Sequence, residues 1–294
     1  MSKIALVLLT IVVMVAFATN SVIGRAALKS DASLLIDPAT YTTVRVVFGA
    51  LVLALVQLFR RRSGNTVAAN PKSGLGTAWL PALALVLYAV AFSFAYVGLD
   101  TASGTLILFA FVQLTMFAIA AAKGERPRSI EVVGLLIASA GLVCLLFPDL
   151  KDSKLAVESG MMMLSGIGWG AYSVLGKGSN DPIGDTARNF ARSVPFVAVV
   201  SLLALSQFTM TSKGFWLAAA SGGLTSGLGY VLWYIVLPKL RSTQAAVVQL
   251  SVPIVAAIGG VLFAGDEITQ RAVLAGLLIL SGIALTVNWK PAAK

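Results

Sequence analysis

Aromatic and polar side chains recur at helical spacing inside long apolar stretches of the sequence. Trp169 and Tyr172 are three residues apart, which places them on one face of a helix. Other apolar stretches carry side chains of the same kinds: Phe17 and Asn20, Tyr230 and Trp233, and Tyr88. A cavity lined by aromatic rings and a few polar groups is typical of sites for small amphipathic ligands. We therefore hypothesise that these seven residues line one cavity; for any single one, helix packing or lipid contact is the alternative.

Further residues in the apolar stretches could contact a solute or act as hinges. Gln249 precedes Pro253 by four residues, and a proline leaves the carbonyl four residues earlier without its helical partner. In hydrocarbon, that carbonyl and the Gln249 amide need a partner from another helix, water or a substrate. Pro195 has the same effect, so both prolines are candidate hinges. Arg45 could attract a substrate carboxylate, but extension of its side chain outward to the lipid headgroups is the favoured interpretation.

The composition excludes several classes of chemistry. The 294 residues include no histidine, so histidine-based acid–base catalysis, metal ligation and proton relays are excluded. The single cysteine, Cys144, cannot form an intramolecular disulfide, and we expect an inert buried thiol. The sequence contains no GxxxxGK[ST] phosphate-binding loop, so ATP hydrolysis by this chain is not expected. We expect no cofactor, no metal and no enzymatic activity.

Composition and apolar runs predict an all-α integral membrane protein. Hydrophobic residues make up 58% of the chain and charged residues 12%, whereas soluble domains average about 45–50% and about 25%. The whole chain, residues 1–294, is expected to form a single transmembrane domain and to act as a monomer. The apolar runs predict ten transmembrane helices, over residues 4–28, 39–59, 75–98, 102–122, 129–147, 157–177, 185–206, 214–237, 242–263 and 270–289.

The positive charges indicate how the helices are oriented. In a soluble protein, a net charge of +10 would suggest a nucleic-acid partner, but we expect none here. Thirteen Lys and Arg residues fall in segments on one side of the predicted bundle and five on the other. This asymmetry predicts that both termini lie in the cytoplasm. The expected location is a bacterial-type inner membrane. An alternative is a secretory signal ending at Ala16-Phe17-Ala18, but the apolar run continues to Ala27.

The two halves of the sequence resemble each other. At an offset of 142 residues Tyr88 falls on Tyr230 and Glu125 on Glu267, and near the start of each half an offset of 152 pairs Ser21 with Ser173. The repeats cover residues 4–147 and 157–289. Because each contains five predicted helices, the second repeat is expected in the opposite orientation. Inverted five-helix repeats are typical of secondary transporters, with the substrate site between the repeats near mid-membrane.

The positions of the carboxylates and glycines predict how transport is driven and how the helices pack. All twelve carboxylates lie in predicted loops or near helix ends, whereas proton-coupled carriers usually place an ionisable group inside the membrane. We therefore expect facilitated diffusion or exchange driven by the gradient of the solute. Glycines such as Gly166, Gly170 and Gly222 predict close helix packing within the monomer.

Several motifs resemble the EamA-type, ten-helix members of the drug/metabolite transporter superfamily. Residues 237–269 resemble the ninth-helix signature of that family, with Pro253 in mid-helix, although the equivalent residue of the first repeat is Phe111. Asp37-Pro38 followed by Arg45 resembles the second-helix opening, and Trp169-Gly170 resembles the sixth.

The resemblance implies a secondary transporter that exports metabolites by alternating access, with the aromatic-amino-acid exporters as the nearest group. The expected partners are a small-molecule substrate, namely an amino acid or similar metabolite, and the lipid bilayer. A nucleotide-sugar or drug transporter is one alternative. An integral membrane enzyme acting on lipid-linked substrates is another, but the chain offers no convincing acid pair or metal site for it.

Overall fold

The computed structural model describes residues 2–29, 34–63, 79–122, 129–146, 153–176, 179–236, 239, 248–249 and 251–286. Among these residues, helices occur at all ten predicted positions. Glu125, which was matched with Glu267, and most of residues 237–250 lie outside the described residues. The first seven helices are α1 (Lys3–Leu28), α2 (Pro38–Arg62), α3 (Leu80–Ala95), α4 (Thr101–Ala122), α5 (Ser129–Leu146), α6 (Ser153–Gly176) and α7 (Pro182–Leu203).

The last three helices are less regular than the sequence predicted. Helix α8 consists of Ser212–Ala220, a π-helical stretch Ser221–Leu228, and Gly229–Val236. Helix α9 consists of Ser251–Gly259 and a π-helical turn Gly260–Ala264, and α10 is Gln270–Thr286. π-helical turns are frequent at functional sites because they widen the helix and redirect side chains.

Helices α2 and α7 begin in the same way. The Asp37 carboxylate accepts a hydrogen bond from the backbone N–H of Thr40 at 2.9 Å, and the Asp181 carboxylate accepts one from Gly184 at 3.2 Å. A proline follows each aspartate, at the first helical position, where the missing N–H costs nothing. An Asp-Pro cap therefore starts the second helix of each predicted repeat.

By length and composition, three helical segments of the described chain can cross a membrane: Lys3–Leu28, Pro38–Arg62 and Thr101–Ile119. Four apolar helices are shorter: Leu80–Ala95, Val132–Leu145, Ser251–Ala264 and Gln270–Leu285. Large aliphatic and aromatic side chains such as Leu203 and Phe263 are exposed on the bundle surface. An outer surface of this kind suits contact with lipid.

Each half of the bundle packs against the other. Helix α1 packs against α8 and α9, α2 against α7 and α8, and α3 against α6 and α7. Helix α4 packs against α6 and α9, and α5 packs along α10. Cys144 is exposed on α5. The expectation of a buried thiol is therefore wrong, because the apolar run around Cys144 also forms the outer surface of the bundle.

Glycines set the closest helix contacts. A Cβ atom built at Gly222 in α8 would lie 2.0 Å from the Arg45 carbonyl oxygen in α2. One built at Gly168 in α6 would lie 2.7 Å from the Tyr88 backbone nitrogen in α3. The GxxxG pair packs on α4, where a Cβ atom at Gly166 would lie 2.6 Å from a backbone oxygen. The prediction of glycine packing within the monomer is thus confirmed for these positions.

The contact at Gly222 gives a stability prediction. Gly222→Ala places a methyl group against the α2 backbone, so α8 must move, and we expect a loss of about 1–3 kcal/mol. Gly229→Ala in the same helix is the control, because its nearest neighbouring atom is the Ala16 Cβ at an ordinary 3.6 Å. The melting temperatures of the purified proteins in detergent measure both effects. Equal melting temperatures for the two variants would contradict the assigned contact.

Candidate functional site

Trp169 lies at the centre of a cluster of aromatic rings from four helices. Its ring centroid is 5.0 Å from that of Tyr230 and 5.1 Å from that of Tyr88. The other predicted aromatic residues contact Trp169 or a neighbouring ring: Tyr172 and Phe17 at 5.7 and 6.3 Å from Trp169, and Trp233 at 5.9 Å from Phe17. These tilted and edge-on contacts are within the favourable range for aromatic pairs. All six predicted aromatic residues therefore belong to one cluster.

The contact between α3 and α6 positions the centre of this cluster. Gly168 lets α6 touch the α3 backbone at Tyr88, and the Ser165 hydroxyl donates to the Tyr88 carbonyl oxygen at 3.0 Å. Trp169 follows Gly168 directly, so its indole ring is placed beside the Tyr88 ring. A glycine and a serine thus fix where the Trp169 and Tyr88 rings meet.

Asn20, in α1, is hydrogen-bonded to side chains of α3 and α8. Its side-chain oxygen accepts hydrogen bonds from Ser221 at 2.7 Å and Thr225 at 3.1 Å. Its amide nitrogen donates to the Tyr88 hydroxyl at 3.3 Å. The side chain is buried, so these bonds offset the cost of removing the amide from water. Asn20 was predicted, whereas its two hydroxyl partners in the π-helical stretch of α8 were not.

Arg45 points into the bundle. It is 2% exposed, and its Nη2 donates to the Tyr88 hydroxyl at 2.8 Å and to the Ser226 hydroxyl at 3.3 Å. The guanidinium carbon lies 5.0 and 4.7 Å from the ring centroids of Tyr88 and Phe92. The favoured interpretation, a side chain that extends to the headgroups, is therefore wrong. Gly222 brings α8 onto the Arg45 backbone, and Ser226, one turn later, meets the guanidinium.

The Arg45 charge has no counter-ion among the described residues. None of their carboxylates lies within ion-pair distance of the guanidinium, and Nη1 has no hydrogen-bond partner. A buried charge without a counter-ion costs several kcal/mol in effective desolvation. Each cation–π contact with an aromatic ring offsets about 0.5–2 kcal/mol of that cost. The centre of the bundle therefore holds a positive charge that its own side chains compensate only in part.

A small cavity of about 20 Å³ lies beside these groups. This volume is enough for about one water molecule. The predicted residues that line it are Phe17, Asn20, Tyr88, Trp169 and Tyr230, and the others are Ser21, Leu108, Phe109, Thr225 and Ser226. The rings fill most of the centre, so a larger solute requires them to separate.

The structure does not bring every predicted residue to the cavity. Tyr172 and Trp233 contact the ring cluster but are not among the lining residues. Gln249 is half-buried and does not line the cavity either. Pro253 is buried in α9, and Pro195 is exposed in α7, which stays helical through it. The roles of Gln249 as a substrate contact and of the two prolines as hinges stay predictions.

A buried ion pair closes one end of the bundle. Arg25 Nε donates to Asp266 Oδ1 at 3.2 Å, and its Nη1 donates to the carbonyl oxygens of Tyr96 and Val97 at 3.2 Å each. The other carboxylate oxygen of Asp266 accepts from the backbone N–H of Thr101 at 2.8 Å and from its hydroxyl at 2.5 Å. The end of α1, the turn between α3 and α4, and the segment between α9 and α10 are thereby joined.

The opposite end is held by more exposed ion pairs. Arg60 at the end of α2 donates to Asp181 at the start of α7, with 2.8 Å between Nη1 and Oδ1. Arg188 pairs with Asp185 one turn earlier in α7, and both side chains are exposed. The Arg60 pair joins the two halves, whereas the second pair is local to one helix.

A helical bundle with an apolar surface and a buried polar centre defines a multi-pass membrane protein. Residues 158–288 match the EamA-like transporter family. The uncharacterized protein PA1977 of Pseudomonas aeruginosa is 43% identical to this chain, over 95% of the chain and 93% of its own length. The uncharacterized transporter YoaV of Bacillus subtilis is 21% identical, over 84% of the chain and 86% of its own length. The chain belongs to the EamA-like transporter family and is a transporter.

The fold also matches a solved structure. A crystal structure of a protein with 17% sequence identity to this chain superposes on it with a TM-score of 0.63. The match covers 97% of this chain and 98% of that one. The similarity therefore extends over both halves of the bundle.

The Arg25–Asp266 pair gives a second stability prediction. Asp266→Asn removes the charge that balances a buried arginine, and breaking a buried pair in this way costs about 3–5 kcal/mol. The control is Asp185→Asn, because exposed pairs contribute about 0–1 kcal/mol. The melting temperature should fall clearly for Asp266→Asn and little for Asp185→Asn. An unchanged melting temperature for Asp266→Asn would show that the buried pair does not hold this end together.

Proposed function

We propose that this transporter exports small amphipathic metabolites across the bacterial inner membrane, with amino acids, including aromatic ones, as the first class to test. The observation that carries the proposal is the composition of the central site. Aromatic rings surround the cavity, Asn20 and the α8 hydroxyls supply polar groups in its lining, and Arg45 lies behind that lining, where it donates to Tyr88. An amphipathic solute would place an apolar group among the rings and a polar group against these side chains.

The packing of the helices supports two inverted repeats, residues 4–147 and 157–289. If α1 to α5 correspond to α6 to α10, the contact of α3 with α6 maps onto that of α8 with α1. The contacts of α4 with α6 and of α2 with α8 map onto those of α9 with α1 and of α7 with α3. The contacts of α2 with α7, α4 with α9 and α5 with α10 map onto themselves, whereas a smaller contact of α4 with α10 has no counterpart of comparable size among the described residues. The Asp-Pro caps of α2 and α7 fit the same exchange. A two-fold axis between the halves would produce this pattern.

Ion pairs between the halves at both ends of the bundle support alternating access. Arg25–Asp266 joins the halves at one end and Arg60–Asp181 joins them at the other. Rocking of the halves would open one set of contacts at a time. With both termini in the cytoplasm, the Arg25 end faces outward and the Arg60 end faces inward. Pro195 and Pro253 are the proposed hinges, and Gln249, which precedes α9 in the sequence, is a proposed additional contact with the substrate.

The alternative substrates differ in their charge. Cationic drugs are disfavoured, because the only ionised group at the described centre is the positive Arg45 and no described carboxylate lies beside it. Nucleotide-sugars carry anionic groups and stay as the second candidate. They are larger than amino acids, so a wider separation of the rings would be needed.

Counterflow in proteoliposomes tests the central site. We expect labelled phenylalanine or another amino acid to exchange in the wild type, and Trp169→Ala to lower the exchange at least tenfold because the central ring is lost. Trp216→Ala is the matched control, since Trp216 is 63% exposed on the bundle surface. Equal exchange by both variants would contradict the assignment of the site. Absence of exchange for neutral and aromatic amino acids in the wild type would remove the amino-acid proposal.

Energy coupling gives a separate prediction. The described cavity lining contains no carboxylate, and the chain contains no histidine, so no proton carrier lies at the site. We therefore expect facilitated diffusion or exchange, in which a pH gradient alone does not accumulate the substrate. Uptake into proteoliposomes with and without an imposed pH gradient measures this. Accumulation above the external concentration, driven by the pH gradient, would contradict the expectation.

A further inference from the structure

We propose that Arg45 is the residue that recognises a carboxylate on the transported solute, and that the transporter therefore selects carboxylate-bearing substrates over their neutral and cationic analogues. This inference rests on the proposed function, because it assumes that the central cavity is the transport site. The inference specifies the charge of the substrate and names the residue that binds the charged group.

The position of the guanidinium is the first argument. Arg45 lies directly behind the cavity wall, since the two side chains to which it donates, Tyr88 and Ser226, both line the cavity. Its Nη1 is buried and has no hydrogen-bond partner. Separation of the rings would bring this group within reach of a solute. A carboxylate could then accept hydrogen bonds from two guanidinium nitrogens in the bidentate geometry that arginine favours.

The comparison of the two halves is the second argument. The Asp-Pro caps of α2 and α7 place Arg45 and Asn189 at the same position, each seven residues after the proline. Asn189 is buried, as Arg45 is. The fold therefore accommodates a neutral amide at this position, so helix packing alone does not require a buried cation there. The cost of burying Arg45 is explained if a ligand supplies the negative charge.

The side chains around Arg45 indicate which group the ligand carries next to its carboxylate. The rings of Tyr88 and Phe92 lie against the guanidinium, and Trp169 contacts Tyr88. A carboxylate at Arg45 would therefore place the adjoining part of the solute among aromatic rings. This arrangement favours a monocarboxylate with an apolar or aromatic group a few bonds away.

Competition by four related compounds tests the inference. Phenylalanine and 3-phenylpropionate carry a carboxylate, whereas phenylalanine amide and 2-phenylethylamine do not. In wild-type proteoliposomes we expect the two carboxylates to inhibit exchange at least tenfold more strongly than the two amines. Thermal stabilisation of the detergent-purified protein by the same compounds provides a readout that is independent of transport.

The substitutions separate recognition from folding. Arg45→Asn copies the residue of the other half, and we expect it to keep a folded, monodisperse protein while abolishing the preference for carboxylates. Arg45→Lys keeps the charge without the bidentate geometry, so it should retain part of the preference. Arg61→Asn at the exposed end of the same helix is the control and should retain all of it.

The outcomes distinguish the inference from the proposed function. Equal inhibition by acid and amide in the wild type, or an undiminished preference in Arg45→Asn, would overturn the role of Arg45 while leaving transport intact. If none of the four compounds exchanges with or stabilises the wild type, both the aromatic-amino-acid substrate and the role of Arg45 are overturned.

Discussion

The burial of the Arg45 guanidinium is the interaction on which the centre of this transporter depends. The charge lies among Tyr88, Phe92 and Ser226, without a carboxylate of the described residues beside it. Hydroxyl oxygens and ring faces compensate a cation only in part. The same groups line the cavity or contact its rings, so the compensation of Arg45 and the shape of the site cannot change independently.

Glycine contacts make this arrangement possible. Without a side chain at Gly222, α8 lies against the α2 backbone at Arg45, and without one at Gly168, α6 lies against α3 at Tyr88. Each contact joins a helix of one half to a helix of the other. The interface that surrounds the central site is therefore also the interface that would shift if the halves rock as proposed. Contacts between smooth helix surfaces allow such a shift at lower cost than interlocked side chains.

Sequence periodicity was sufficient to predict the ten helices and the ring cluster. Trp169, Tyr172, Tyr230 and Phe17 stand out because large aromatic residues at helical spacing are visible without knowing how the helices pack. The inward direction of Arg45 was not predictable in this way, since it depends on the contact of α8 at Gly222. Ser221, Thr225 and Ser226 were missed for the same reason, although three hydroxyls within six residues of an apolar helix could have indicated a polar face.

A structure of the protein saturated with a transported carboxylate tests the central claim most directly. The account predicts that the solute lies between Trp169 and Tyr230, with its carboxylate oxygens about 2.7–2.9 Å from the guanidinium nitrogens of Arg45. The rings would be farther apart than in the structure described above. A solute bound elsewhere in the bundle, or bound at the centre with its carboxylate directed away from Arg45, would contradict the account.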